Sequence, residues 1–118
     1  MVTSINRAAG KRWEYELRTG LRDAGLDVEG LKLAGKNDEG DILVRFDNEL
    51  VIIEAKNEAR YDLARYVAEA LAEADNFAAK RIHIPRSFVT GVAAIKRRGH
   101  NWKDAYILTT VREYFGLE

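Results

Sequence analysis

Two apolar segments separated by Asp47-Asn48 constrain the fold of this chain more than any other feature of its sequence. The segments are Gly40-Asp41-Ile42-Leu43-Val44 and Val51-Ile52-Ile53-Glu54-Ala55-Lys56. Both have the length of a strand and are rich in β-branched residues, and an Asp-Asn pair favours a tight turn. The sequence therefore predicts a β-hairpin. With Asp47 and Asn48 at the centre of the turn, Phe46 pairs with Glu49 and Asp41 lies opposite Glu54.

The hairpin carries three charged side chains on one face. Because side chains alternate along a strand, Lys56 shares a face with Glu54 and Asp41. The other face is apolar and consists of Ile42, Val44, Val51, Ile53 and Ala55. If the turn slips by one residue, Asp41 lies opposite Lys56 and the same cluster forms. Three charges within two otherwise apolar segments require a chemical reason.

The charged cluster has the composition of a divalent metal site. Two carboxylates, Asp41 and Glu54, beside the Ala55 carbonyl are hard oxygen ligands that suit Mg²⁺ or Mn²⁺. Without a cation the carboxylates would repel, and one would take up a proton. Lys56 could orient an attacking hydroxide, act as a general base or stabilise a phosphate by charge, and the sequence does not choose among these roles. The alternative is a salt bridge at a strand end, since an acid-x-Lys triplet is expected about once by chance in this composition.

The rest of the chain predicts an α/β protein with a mixed central sheet flanked by helices. A helix capped by Thr3 or Ser4 runs to Ala24 and is followed by a strand over 26–33 and a polar loop over 34–40. After the hairpin, a long amphipathic helix covers 59–80, strands lie near 92–96 and 105–110, and a short helix ends the chain. The apolar stripe of the long helix is Leu63, Val67, Leu71, Ala74 and Phe77. The order αβββαββα in 118 residues predicts one domain, 1–118.

Composition narrows the functional classes. Cysteine is absent, which excludes disulfides and thiolate metal sites. No signal peptide or apolar membrane span is recognisable, so we expect a cytoplasmic protein without a membrane partner. The net charge is zero, but residues 1–36 carry 7 basic and 5 acidic side chains, residues 37–79 carry 4 and 11, and residues 80–118 carry 8 and 3. An acidic centre between basic ends suits a nuclease, and a mixed solvated surface is the alternative.

The residue pattern resembles the PD-(D/E)xK nuclease superfamily. The resemblance rests on Gly10-x-x-x-Glu14-x-x-Leu17, Gly40-Asp41 and Glu54-Ala55-Lys56, and within the superfamily it is nearest to the archaeal and phage Holliday junction resolvases. The segments 91–99 and 104–110 also resemble the closing strands of phage resolvases. Gly40 stands where the superfamily has proline. The resemblance implies a restriction-endonuclease-like αβββαββ core.

The resemblance assigns roles to individual residues. Asp41, Glu54 and the Ala55 carbonyl would bind metal, Lys56 would serve the nucleophilic water, and Glu14 would complete the site. Helix geometry supports the role of Glu14, because Glu14 borders the apolar stripe of its helix more closely than Glu16 does. The alternative is that Glu14 is a surface residue paired with Arg18.

The implied enzyme is a Mg²⁺-dependent homodimer that nicks two opposed strands of a four-way DNA junction, in the host cytoplasm if it is encoded by a phage. Basic residues would contact the DNA backbone. The candidates are Lys11, Arg18, Arg22, Lys36, Lys80, Arg81, Arg97 and Arg98. The same chemistry would also serve a nuclease acting on duplex ends, nicks or flaps. A non-catalytic nucleic-acid-binding module is a further alternative.

Overall fold

The computed structural model describes residues 2–31 and 40–118, with side chains from residue 8 onward. In chain order the elements are α1 (Val2–Asp23), β1 (Asp27–Gly30), β2 (Ile42–Phe46), β3 (Glu49–Lys56), α2 (Leu63–Ala79), β4 (Val89–Ile95), β5 (Tyr106–Leu108) and α3 (Val111–Phe115). Short 3₁₀ turns precede β4 and β5. The predicted order of helices and strands is confirmed. Lys36 and the predicted loop over 34–39 lie outside the described residues.

The five strands form one open sheet in chain order, β1-β2-β3-β4-β5. The pair β3 and β4 is parallel, and the other three pairs are antiparallel. A parallel pair needs a crossover connection, which α2 supplies. The protein is therefore α/β with a mixed central sheet and flanking helices. None of the helices within the described residues combines the length and hydropathy that crossing a membrane requires.

The hairpin of β2 and β3 has the predicted turn and register. Asp47 and Asn48 have φ angles of 57° and 64°. Positive φ at both central residues matches the type I′ turn, whose twist suits a two-residue hairpin. Phe46 pairs with Glu49, and Ile42 pairs with Ile53. The regular pairing ends at Ile42, because the N–H of Asp41, directly before β2, also bonds to the Ile53 carbonyl, so the predicted pairing of Asp41 with Glu54 is not part of the ladder.

The apolar core has two layers, one on each face of the sheet. On one face, α1 contributes Trp13 and Leu17 to a buried cluster with strand residues Ile42, Val44, Ile53, Val92 and Ala94. On the other face, α2 contributes Ala74 and Phe77, which pack on Leu43, Ile52 and Val89. Alternate residues of each strand therefore face different helices, as the period of two requires.

The buried face of α2 agrees with the predicted stripe only in part. Its buried residues are Tyr66, Ala70, Glu73, Ala74 and Phe77. The prediction is therefore confirmed for Ala74 and Phe77 and wrong for Leu63, which is 48% exposed. A Cβ added at Gly91 would lie 2.6 Å from the Ala70 carbonyl oxygen. Gly91 is thus a site of close packing between β4 and α2.

Several predicted boundaries were also wrong. The first helix begins at Val2, so Thr3 and Ser4 lie within it and do not cap it, and Ala24 is exposed beyond its end. The second helix begins four residues later than predicted because Asp62 caps it, accepting a hydrogen bond of 3.3 Å from the Arg65 N–H. Strand β4 begins at Val89, before the predicted 92, and β5 is shorter than the predicted 105–110.

Candidate active site

The open end of the hairpin brings Asp41 onto the edge of β3. The Asp41 N–H donates to the carbonyl of Ile53, the ladder partner of Ile42, at 3.0 Å, so two residues of this segment lie opposite one residue of β3. The Asp41 carboxylate then accepts a hydrogen bond of 2.8 Å from the Ala55 N–H. The N–H and C=O of one residue point to the same side of an extended strand, so the Ala55 carbonyl also faces Asp41. One carboxylate is thereby fixed beside a backbone carbonyl.

Glu54 lies beside Asp41 and is nearly enclosed, with 8% of its surface exposed. Burial is the main reason that its pKa is raised from 4.5 to about 8. A hydrogen bond with Asp41 lowers the pKa, the neighbouring Glu73 carboxylate raises it, and the Lys56 charge lowers it. Glu54 is therefore an acidic side chain whose surroundings oppose its ionisation unless a cation is present.

Glu73 is a further acidic side chain at this site, which the sequence analysis missed. It is 6% exposed, projects from α2 and interacts with Glu54. A Cβ added at Gly40 would lie 3.2 Å from its Oε2 atom and 2.7 Å from Ile52 Cγ2. Gly40 also has a φ of 99°, so both space and backbone conformation favour glycine there. The available signal was the spacing of Glu73 from Ala70 and Phe77, which places the three on one helix face.

Lys56 is the cationic part of the site, and α2 supplies its partner. Its ammonium group donates a hydrogen bond to Glu69, which also pairs with Arg65 at 3.1 Å. The ammonium group lies 5.5 Å from the centre of the Tyr66 ring. Burial alone would lower the pKa of Lys56, but the hydrogen bond to Glu69 and the charges of Glu54 and Glu69 raise it. Lys56 therefore carries a positive charge at neutral pH.

Glu14 lies on α1, on the other side of the sheet from the Glu54 side chain. Its neighbour Trp13 donates to the Ala94 carbonyl at 3.1 Å and belongs to the core on that side. The Glu14 side chain is 24% exposed and pairs with Arg18 at 3.3 Å, as the alternative interpretation expected. Glu16 is 42% exposed, so Glu14 is the more buried of the two. A contact of Glu14 with the strand carboxylates stays a prediction.

The candidate DNA-binding residues lie in three separate places. Lys11, Arg18 and Arg22 follow the outer side of α1, and Arg22 donates to the Val28 carbonyl at 3.2 Å. Lys80 and Arg81 follow the end of α2. Phe77 near that end packs with Val89, whereas Tyr66 near the start packs with Ile95. Lys80 and Arg81 therefore lie toward the opposite end of the sheet from Arg97 and Arg98, which follow β4.

The donor set fits a hard divalent cation bound by two carboxylates and one carbonyl. Asp41 and Glu54 are adjacent, and the Ala55 carbonyl faces the same side. Within residues 2–31 and 40–118, no three Asp, Glu, His or Cys side chains form a group with the geometry of a metal site. A Mg²⁺ ion retains several waters and often takes only one or two protein carboxylates, so two are sufficient.

We compared the sequence with known proteins. No model of a protein family matches the chain, and no curated protein was found to be similar to it. The functional assignment therefore depends on the residues and contacts described above.

Proposed function

We propose that this protein is a Mg²⁺- or Mn²⁺-dependent endonuclease that hydrolyses phosphodiester bonds in DNA, built on a restriction-endonuclease-like αβββαββ core. One observation carries the proposal. The Asp41 carboxylate is held by the Ala55 N–H beside Glu54, and Lys56 extends from the same face of the same strand. A salt bridge at a strand end would not require two adjacent carboxylates, one of them buried.

In this proposal Asp41, Glu54 and the Ala55 carbonyl would hold the metal ion, which when bound would lower the pKa of a water and neutralise charge on the phosphate. Asp41 is kept in place by its hydrogen bond to the Ala55 N–H, so its carboxylate is oriented before substrate arrives. Glu54 is nearly enclosed by protein, so water has little access to that side of the site. Both features favour tight positioning of the scissile phosphate.

The charge state of Lys56 bears on which of its three possible roles it performs. A raised pKa opposes a role as general base, since a base must be deprotonated at the working pH. A fixed ammonium group suits the stabilisation of negative charge on the phosphate. Glu69 would hold that group in position. We therefore propose an electrostatic role for Lys56.

The proposed substrate is a four-way DNA junction, by the resemblance of the sequence to junction resolvases. Nicking two opposed strands needs two active sites, so the proposal includes a homodimer. Glu14 would complete each site, and the basic residues of α1 and of the segment after β4 would contact the backbone. Duplex ends, nicks and flaps are alternative substrates for the same chemistry.

A non-catalytic nucleic-acid-binding module is the second candidate. The observation that favours it is the ion pair between Lys56 and Glu69, because a lysine with a carboxylate partner also serves a structural role. Such a module would bind DNA equally well with and without Mg²⁺ and would leave it intact.

The two functions are separated by incubating labelled four-way junction and matched linear duplex with Mg²⁺ or with EDTA. Glu54→Ala should abolish cleavage. Glu49→Ala is the matched control, since it removes a glutamate from the exposed, opposite end of the same strand. Paired nicks in the junction alone would support a resolvase, and cleavage of both substrates would support a general nuclease. Intact DNA in every metal would refute the nuclease proposal.

A further inference from the structure

A polar cavity of about 460 Å³ lies just beyond the proposed catalytic strand. Lys56 at the end of β3 pairs with Ile95 at the end of β4, and the Lys96 N–H donates to the Lys56 carbonyl at 2.9 Å. The segments that leave these two strands form the walls together with the start of β5. The wall residues include Glu58, Tyr61, Arg97, Arg98 and Tyr106. The cavity and the Asp41, Glu54 and Lys56 side chains therefore lie at the same end of the sheet.

Two arginines give the cavity an excess of positive charge. Arg98 donates to the Asn57 side-chain and main-chain oxygens at 2.9 and 3.3 Å, and Arg97 donates to the Asp104 carbonyl at 3.5 Å. Across the described ranges, neither arginine pairs with a carboxylate. By contrast, Arg45 on β2 and Arg65 on α2 both pair with acidic side chains.

The one acidic group in the cavity wall is already neutralised. Glu58 accepts hydrogen bonds from Arg65 at 2.7 Å and from the Tyr66 hydroxyl at 2.8 Å. It therefore does not balance the charges of Arg97 and Arg98. An anionic ligand would gain two charge-assisted contacts without displacing an ion pair of the protein.

Two tyrosine rings provide the aromatic part of the wall. Tyr61 is 46% exposed and Tyr106 is 49% exposed, so each presents about half of its surface to solvent. The Tyr61 hydroxyl donates to the Lys96 carbonyl at 3.4 Å, and the Arg97 guanidinium lies 4.8 Å from the centre of the Tyr106 ring. Both rings are thus oriented before a ligand binds. Proteins that bind single-stranded nucleic acids stack bases on exposed aromatic rings and contact phosphates with positively charged side chains.

We propose that this cavity binds one unpaired nucleotide of the DNA substrate, with the base against Tyr61 or Tyr106 and a phosphate on Arg97 and Arg98. Its volume of about 460 Å³ falls within the range of roughly 300 to 1,000 Å³ that accommodates small ligands. A paired base remains stacked inside the duplex and cannot enter a cavity. The inference rests on the proposed nuclease function. Among the substrates proposed above, it favours those with an unpaired nucleotide close to the scissile bond, such as a flap, over a fully paired four-way junction.

Binding in EDTA tests the cavity without any need for cleavage. The probes are a blunt duplex and the same duplex with a single-stranded flap that carries 2-aminopurine at its first unpaired position. We expect tighter binding of the flapped duplex and quenching of the 2-aminopurine fluorescence. Tyr61→Ala or Tyr106→Ala should weaken flap binding about tenfold and relieve the quenching, because stacking contributes this much per base. Binding of the blunt duplex should not change.

Control variants separate stacking from general damage to the fold. Tyr61→Phe and Tyr106→Phe keep the rings and should preserve flap binding. Tyr114→Ala removes a still more exposed tyrosine from α3, outside this cavity, and should have no effect. Arg97→Ala should weaken binding and reduce the salt dependence by about one phosphate contact.

Two results would overturn the inference. One is equal affinity of the wild-type protein for blunt and flapped duplex. The other is unchanged flap binding and quenching when both tyrosines are replaced by alanine in a folded protein. If cleavage of DNA fails while flap selectivity is present, the nuclease proposal is wrong and the binding site stands. If cleavage occurs without flap selectivity, the nuclease proposal stands and the binding site is wrong.

Discussion

Without metal, the Glu54→Gln variant should be more stable than the wild type at neutral pH. With Mg²⁺ present, the variant should not cleave DNA. The pKa of Glu54 rises from 4.5 in its ordinary environment to about 8 in the folded protein, chiefly through burial. Folding therefore favours the protonated carboxyl group. At pH 7 the solution lies about 2.5 pH units above the ordinary pKa, and each unit corresponds to about 1.4 kcal/mol. At pH 7 the burial of Glu54 therefore lowers the free energy of unfolding by about 3 kcal/mol. The neutral amide of glutamine does not have this effect.

The pH dependence has a definite sign. Between about pH 4.5 and pH 8 the unfolded chain has lost the Glu54 proton and the folded protein retains it. The free energy of unfolding should therefore fall as the pH rises through this interval, and this contribution becomes constant above pH 8. The Glu54→Gln variant lacks the titrating group, so the difference between the two proteins should grow from below 1 kcal/mol at about pH 5 to about 3 kcal/mol at about pH 7.

Urea unfolding in EDTA, followed by circular dichroism at pH 5, 6, 7 and 8, measures this difference. In a separate thermal unfolding experiment at pH 7, the melting temperature of Glu54→Gln should exceed that of the wild type by about 10 °C for a domain of this size. Mg²⁺ should raise the wild-type stability and have little effect on the variant, because ligand binding to the folded state stabilises it. A variant that is less stable than the wild type at pH 7 in EDTA would refute the reasoning, since it would show that Glu54 is ionised and stabilised in the fold.

Three further predictions follow from the site and its packing. Asp41→Asn should abolish DNA cleavage and leave DNA binding largely intact in a gel-shift assay, because the carboxylate is proposed to bind metal; full activity would contradict this role. Lys56→Ala should lower kcat about a hundredfold without changing Mn²⁺ affinity by calorimetry, and lost affinity would show that the lysine organises the metal ligands. Gly91→Ala should reduce the free energy of unfolding by about 1 to 3 kcal/mol, because its methyl group would meet the backbone of α2; unchanged urea unfolding would show that the helix can move away.

The hairpin could be predicted because its determinants are local. Asp47 and Asn48 tolerate positive φ, and the alternation of side chains in the flanking segments allows one register for a buried face. Once the register was fixed, the shared face of Asp41, Glu54 and Lys56 followed from the period of two. The element order could be predicted for the same reason, since each helix and strand carries its own periodicity.

The α2 side of the site could not be predicted because it depends on the rotation of a helix against a sheet. Leu63 was expected to face the sheet but is 48% exposed, whereas Tyr66, Ala70 and Glu73, which the hydrophobic pattern did not select, are buried. The helix is therefore rotated from the predicted orientation, and this rotation brings Glu73 to Glu54 and Glu69 to Lys56. Packing against the sheet determines the rotation, and the periodicity of the helix alone does not specify it.

The close contact between α2 and β4 has a consequence for the acidity of the site. Glu73 reaches Glu54 from the helix, and its carboxylate raises the pKa of Glu54. Gly91 permits the short distance between helix and sheet, although it is remote in sequence from both glutamates. A larger residue at position 91 would push α2 and Glu73 away from the sheet. We therefore expect such a substitution to lower the pKa of Glu54 toward its ordinary value.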